Sequence, residues 1–209
     1  MVMDSMNKVI HAAVRRDLAR LGGALDTVSD GDHKRATDLG RAWRNLRDQL
    51  RHHHEQEDTI LFPVTVHLGV DLALVDAMEA EHQTMARALT EIDTAMGSYA
   101  TSASAADAAD AADAVRRGSV VVEEHLVHEE EEFEPLVREH LESSEWKAAM
   151  RQIRKVPPRQ AGWFFAWIED GAPEDARAFV ATEVPAPVRL LLGRIFGRGY
   201  HRTIAPVWS

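Results

Sequence analysis

Residues 51–64 read RHHHEQEDTILFPV, and residues 123–137 read EEHLVHEEEEFEPLV. Both stretches place a histidine four residues before a glutamate, and a proline six residues after it: His53, Glu57 and Pro63, then His125, Glu129 and Pro135. A further histidine lies upstream of each at nearly matching distance, His11 before His53 and His82 before His125. The spacing reads as an internal duplication of a ligand set, and it points to one two-metal site inside a helical bundle.

Working outward, apolar residues recur in steps of three and four through four segments. The first is capped near Asp4 or Ser5 and carries His11, Val14, Leu18, Leu21 and Leu25, running to about Val28. The second carries Leu39, Trp43, Leu46, Leu50, His53, Glu57, Ile60 and Val64. The third opens near Asp71 and carries Val75, Met78, His82, Met85, Leu89, Ile92 and Met96, ending at Gly97-Ser98. The fourth carries Val115, Gly118, Val122, His125, Glu129 and Leu136. Such spacing lines one face of a helix, and four such segments with short connections predict an all-α, up-down-up-down four-helix bundle.

The polar residues on these faces decide the chemistry. His11, His53, Glu57, His82, His125 and Glu129 all fall at positions that should point into the core. A buried carboxylate costs several kcal/mol unless paired or metal-bound. A cation offsets that cost. Helices two and four run parallel in this topology, so both His-to-Glu steps advance the same way and relate the two sets by a pseudo-two-fold axis. His nitrogen with carboxylate oxygen suits iron, manganese, zinc or cobalt. Two glutamates between two imidazole pairs suit two bridged ions, with an oxo or hydroxo bridge and at least one open position if the metal is iron.

Other residues weigh less. His52, His54 and His128 step off the seam and read as surface residues or as supports behind the ligands, while His33, His67, His140 and His201 carry no signal. Pro63 and Pro135 most simply mark approaching helix ends; the other reading is that they shape the pocket. The Ala/Asp run 101–113 is either the first turns of the fourth helix or a loose connection. Asp107, Asp110 and Asp113 read as a solvated acidic face, as do Glu130, Glu131, Glu132 and Glu134. A His-Glu-x-x-His zinc-protease run is absent, and Glu79 with His82 forms the lone seam Glu-x-x-His, which argues against a ferritin-like site.

Composition bounds the class. The chain has 209 residues, no cysteine and a formal net charge of −10. Thiolate metal sites and disulfides are therefore excluded. Residues 1–144 carry 14 Lys+Arg against 28 Asp+Glu, an acidic body that repels nucleic acid. No signal-like or membrane-length apolar run is found, so a soluble cytoplasmic protein is expected. Residues 145–209 form a second region of the opposite charge, with Pro157-Pro158, two short helical pieces split by Gly171 and Pro173, and a basic amphipathic helix near 188–196. Four of the five tryptophans lie there: Trp146, Trp163, Trp167 and Trp208. We read it as a helical extension packed outside the bundle. A homodimer contact is the next reading, and membrane contact through Arg189, Arg194 and Arg198 a minor one.

The paired His-x-x-x-Glu motifs with their upstream histidines resemble the hemerythrin-like family, the HHE cation-binding domain, over about residues 1–142. The resemblance implies a non-haem di-iron centre with His11, His53, His82 and His125 as terminal ligands and Glu57 and Glu129 bridging the irons. The family's oxygen carriers have a second histidine on the third helix, four residues from the first. Here Met78 and Ala86 stand at those positions. The gap is filled by Glu79, Glu81 or Tyr99, or left open. An open site favours binding or turnover of hydrogen peroxide, dioxygen or nitric oxide over simple oxygen storage, with catalase-like activity as the enzymatic version. The alternatives are a non-enzymatic oxygen- or iron-responsive sensor or binder, and a structural zinc bundle.

Overall fold

A computed structural model describes residues 3–208. These residues are helical throughout their regular structure, with no strand among them. The bundle is built from α1 (Met6–Leu25), α2 (His33–Gln56), α4 (Leu72–Ser102) and α5 (Ala105–His128), with a short α3 (Phe62–His67) continuing the line of α2. Around the ring α1 packs on α2 and α5, and α4 packs on the same two. Contacts between the ends fix the directions. The loop before α2 meets the loop after α4 through Gly31 N donating to Ala103 O at 2.9 Å, while Ser5 at the start of α1 donates to Glu134 just beyond α5.

Local sequence explains the boundaries. Ser5, Asp32, Asp71 and Ser104 each accept a backbone N–H of the first turn, so every bundle helix begins on a side-chain cap. Gly97 does not end α4, which runs on to Ser102. Tyr99, two residues further, is fully buried against the core, and the chain reverses at Ala103 with φ 54. The Ala/Asp run forms the first turns of α5, with Ala108, Ala111 and Ala112 against the core and Asp110 and Asp113 outward. At Gly118 an added Cβ would lie 2.5 Å from Ile92 Cδ1, so α4 and α5 approach closely there.

Both duplicated motifs depart from the α-helix at the same place. A five-residue π-turn begins at Glu57 and another at Glu129. Pro63 and Pro135 come next, and helix resumes beyond each turn, as α3 and as α6 (Glu134–Arg138). A proline cannot donate to the carbonyl four residues back, and a widened turn upstream relieves the clash. The prolines therefore do more than mark helix ends. Each π-turn also shifts the helical phase of the residues C-terminal to it. Ile60 and Val64 become half-buried and Leu136 exposed, while Phe62, Phe133 and Val137 take the core positions.

The C-terminal segment comprises α7 (Ser144–Ile153), α8 (Pro158–Glu169), α9 (Glu174–Glu183), α10 (Ala186–Leu191), a π-turn over Leu192–Phe196, α11 (Arg198–Thr203) and a 3₁₀ turn. Helices α8 and α9 lie against α1, and α7 lies against α3. Their buried side chains, Trp167, Ile168, Val180, Tyr200 and Ile204, join the apolar core of the bundle itself. Asp17, 1 % exposed, accepts the Trp167 indole N–H at 2.8 Å, and Asn45 accepts that of Trp163 at 2.7 Å.

Candidate metal centre

The bundle carries two apolar clusters, and the duplicated motifs lie between them. The large one fills the bundle above, and Phe62, Val70, Val75, Met78, Phe133 and Val137 close the end below. Into this buried layer the helices place all six seam residues: His11 from α1, His53 from α2, His82 from α4, His125 from α5, and Glu57 and Glu129 from the π-turns. Every one is buried, His11 and Glu57 almost completely.

The geometry pairs them. His11 Nε2 lies 3.3 Å from His53 Nε2, and His82 Nε2 lies 3.2 Å from His125 Nε2. Two imidazole nitrogens held by one ion at about 2.1 Å, at a right angle, stand about 3 Å apart. Each carboxylate reaches both pairs. Glu57 Oε1 is 3.1 Å from His53 Nε2 and its Oε2 is 3.6 Å from His82 Nε2. Glu129 Oε2 is 3.1 Å from His11 Nε2 and 3.9 Å from His125 Nε2.

The outward nitrogens are held by a ring of acids. Glu130 lies 2.8 Å from His11 Nδ1, Asp58 2.7 Å from His82 Nδ1, and Glu81 2.9 Å from His125 Nδ1. A carboxylate behind an imidazole fixes the tautomer so that the opposite nitrogen presents its lone pair. Glu81 also takes His128 Nδ1 at 2.7 Å, Arg15 donates to Glu130, and Asn7 donates to Glu129 Oε1 at 3.0 Å.

The donor set fits a cation. Glu57 Oε2 is buried without a hydrogen-bond partner, and Glu129 Oε2 has only imidazole nitrogens beside it, an arrangement that costs free energy in an empty core. Electrostatics point the same way. Burial and the neighbouring Glu129 push the Glu57 carboxyl well above the usual range. Burial works against ionised Glu129, but His11 outweighs it and holds that carboxyl low. Burial likewise opposes a charged His11, yet Glu129 and Glu130 raise it to about 9. His53 is lowered to about 3 by burial and by His11. Two carboxylates and four imidazoles thus crowd one buried layer, where a bound cation would displace protons.

Several expectations change. His54, read from sequence as a surface residue or a support behind the ligands, is 8 % exposed and stacks on His82 with ring centroids 4.1 Å apart. The reason is that α2 packs on α1 along one side and on α4 along the other, so its buried stripe is wide enough for two successive residues. Glu130 and Glu134 are not part of a solvated face, for they serve His11 and Ser5; Glu131 and Glu132 are exposed. Glu81 stands behind His125 and His128 rather than in the layer of the six seam residues. Tyr99 lies seventeen residues beyond His82, roughly 25 Å along the helix, and is remote from the centre. Asp58 carried no sequence signal beyond following Glu57.

The model of the hemerythrin HHE cation-binding domain matches residues 5–137, a span that covers α1 through α6 and every residue of this layer. The chain belongs to that family and is a cation-binding protein. Comparison with the curated proteins and with the solved structures gave no match.

Proposed function

We propose that this chain is a non-haem di-iron protein that binds or turns over a small oxidant, and that residues 1–144 form its metal-binding unit with 145–209 as an extension. The supporting observation is that Glu57 and Glu129 each reach both histidine pairs, which is the disposition two bridged ions require. In this reading His11 and His53 hold one ion, His82 and His125 hold the other, and the two glutamates link them. Bound there, an iron pair supplies reversible electron transfer toward hydrogen peroxide, dioxygen or nitric oxide.

The chain's own residues set the conditions for that chemistry. Glu130, Asp58 and Glu81 orient three of the imidazoles and make them better donors. Phe62 packs on His82 with ring centroids 5.5 Å apart and meets Phe133 at 5.2 Å, which keeps water from entering through the bundle end. Access comes from the side instead. A cavity of about 530 Å³ between α2 and α4 runs from exposed Arg51 and Glu55 inward to His54 and His82. It is far larger than a diatomic or peroxide and so admits either together with water.

The test is metal content with a visible spectrum of protein purified in air. About two irons per chain, with charge-transfer bands that move on adding azide, is the expected result; zinc, or a single colourless ion, would overturn the redox reading. The enzymatic version predicts that two hydrogen peroxide molecules give two waters and one dioxygen, with turnover lost in Glu57→Ala and His125→Ala. Unchanged turnover in those variants removes it.

A second reading is a sensor in which metal loading is reported through the extension. It is favoured by the seating of α8 beside the ligand helix, with Gln160 Nε2 3.4 Å from His52 Nε2, next to His53. It expects tail proteolysis to differ between metal-free and loaded protein. Identical digestion would count against it.

A further inference from the structure

We infer that His54 is a seventh metal ligand, which with His82 and His125 builds a three-imidazole position on the cavity side of the centre, unequal to the two-imidazole position of His11 and His53. The inference rests on the di-iron reading above and names a residue that the family pattern does not use.

The first observation is an unsatisfied atom. His54 is 8 % exposed and its Nε2 has no hydrogen-bond partner. A core histidine kept for packing finds a partner for that nitrogen. Here Nε2 is the same atom that His11, His53, His82 and His125 turn toward one another. Ligand-capable nitrogens of His54, His82 and His125 lie within 4.8 Å of one another, and those of His11 and His53 form a separate buried trio with a Glu129 oxygen. The buried donors thus include two trios, one all nitrogen and one mixed, with Glu57 reaching toward both.

The second observation is the missing helix-three histidine. Met78 is fully buried in the lower apolar cluster, and Ala86, four residues after His82, borders the cavity. His54 approaches the same region from the facing helix, its ring 4.1 Å from that of His82 and 5.5 Å from that of His125. The His54 and His82 rings are stacked 18° apart, so coordination asks His54 to turn off the stack. Rotation about the bond to an imidazole ring is soft, and the cavity gives it room.

The two positions then differ in access as well as in donors. The His54 position borders the cavity, whose wall includes Glu55, Asp58, Glu79 and Asp93 against Arg47 and Arg51, an acidic path for a cation. The His11 position is enclosed by Glu129 with Asn7, and by Glu130 with Arg15.

Anaerobic ferrous titration of the full chain against a competing chelator tests this, with Mössbauer spectra of isotopically enriched iron. Wild-type protein is expected to hold two irons with two unequal signals of the same area. His54→Leu should keep one tight iron, bind the second at least tenfold more weakly, and alter one signal only. His52→Ala, a neighbouring histidine outside the layer, should change neither. His54→Ala tested with added imidazole guards against a folding defect: recovery of the second iron supports ligation. Unchanged affinities and signals in His54→Leu, or an Ala variant indifferent to imidazole and still holding two irons, overturn the inference and leave the six-ligand centre standing. Failure of the wild-type chain to bind two irons removes the underlying reading and this one with it.

Discussion

Replacing Glu57 by methionine separates the cost of the site from its use. In the metal-free chain Glu57 is 1 % exposed and its Oε2 has no hydrogen-bond partner. A buried polar group left unsatisfied costs about 1–3 kcal/mol. Methionine is unbranched like glutamate and adapts to irregular space, so Glu57→Met should recover most of that amount. In a chain of this size each kcal/mol moves the melting temperature by about 2–4 °C, so metal-free Glu57→Met should melt on the order of 5 °C above metal-free wild type. Ferrous iron at one hundred times its Kd adds about 2.7 kcal/mol to a protein that binds it only when folded. Wild type should therefore rise by about 5–11 °C for each of the two irons it takes up, and the variant by less than half of the wild-type total. Calorimetry of chelator-treated and anaerobically loaded samples, with far-ultraviolet circular dichroism to check the fold, reads both effects. A metal-free variant that melts below metal-free wild type would refute the claim that Glu57 is an uncompensated group. An equal rise on loading would refute its role in holding iron.

Three further perturbations act on contacts of the same kinds. Asp58→Asn weakens the acceptor 2.7 Å from His82 Nδ1 and should lower iron affinity about 10–100-fold, read by chelator competition. Trp167→Phe removes the indole N–H that buried Asp17 accepts at 2.8 Å; urea unfolding should show a loss of about 1–3 kcal/mol. At Gly162 an added Cβ would lie 2.3 Å from Phe196 Cβ and 2.7 Å from Leu192 O, backbone that cannot swing aside. Gly162→Ala should thus unseat residues 186–196 from α8, seen as faster proteolysis there with metal content unchanged.

Much of this protein is written in local pattern. The three-and-four steps of apolar residues give four helices, because burial on one face of a helix imposes that period wherever the helix docks. The duplicated His-x-x-x-Glu selects six residues that the bundle brings into one layer, since a residue on the seam points inward whatever its chemistry. The starts of α1 and α4 are legible in Ser5 and Asp71 for the same local reason, and Asp32 and Ser104 cap α2 and α5 in the same way.

Tertiary structure decided what depends on neighbours. Whether His54 faces water or the core turns on α2 having a partner along two sides, which no single-helix period contains. Glu130 and Glu134 look identical in sequence to Glu131 and Glu132; only the start of α1 lying beside them takes two out of solvent and leaves two in it. The π-turns at Glu57 and Glu129 rephase the residues after them, so Leu136 falls outside and Phe133 inside, against a period extended in a straight line. The extension reads in sequence as packed outside the bundle; that Trp167 enters the core, and that Asp17 and Asn45 accept the N–H groups of Trp167 and Trp163, is decided by the fold. Periodicity reports which face of one helix is apolar; the number and direction of the surfaces that meet it exist only once the chain has folded.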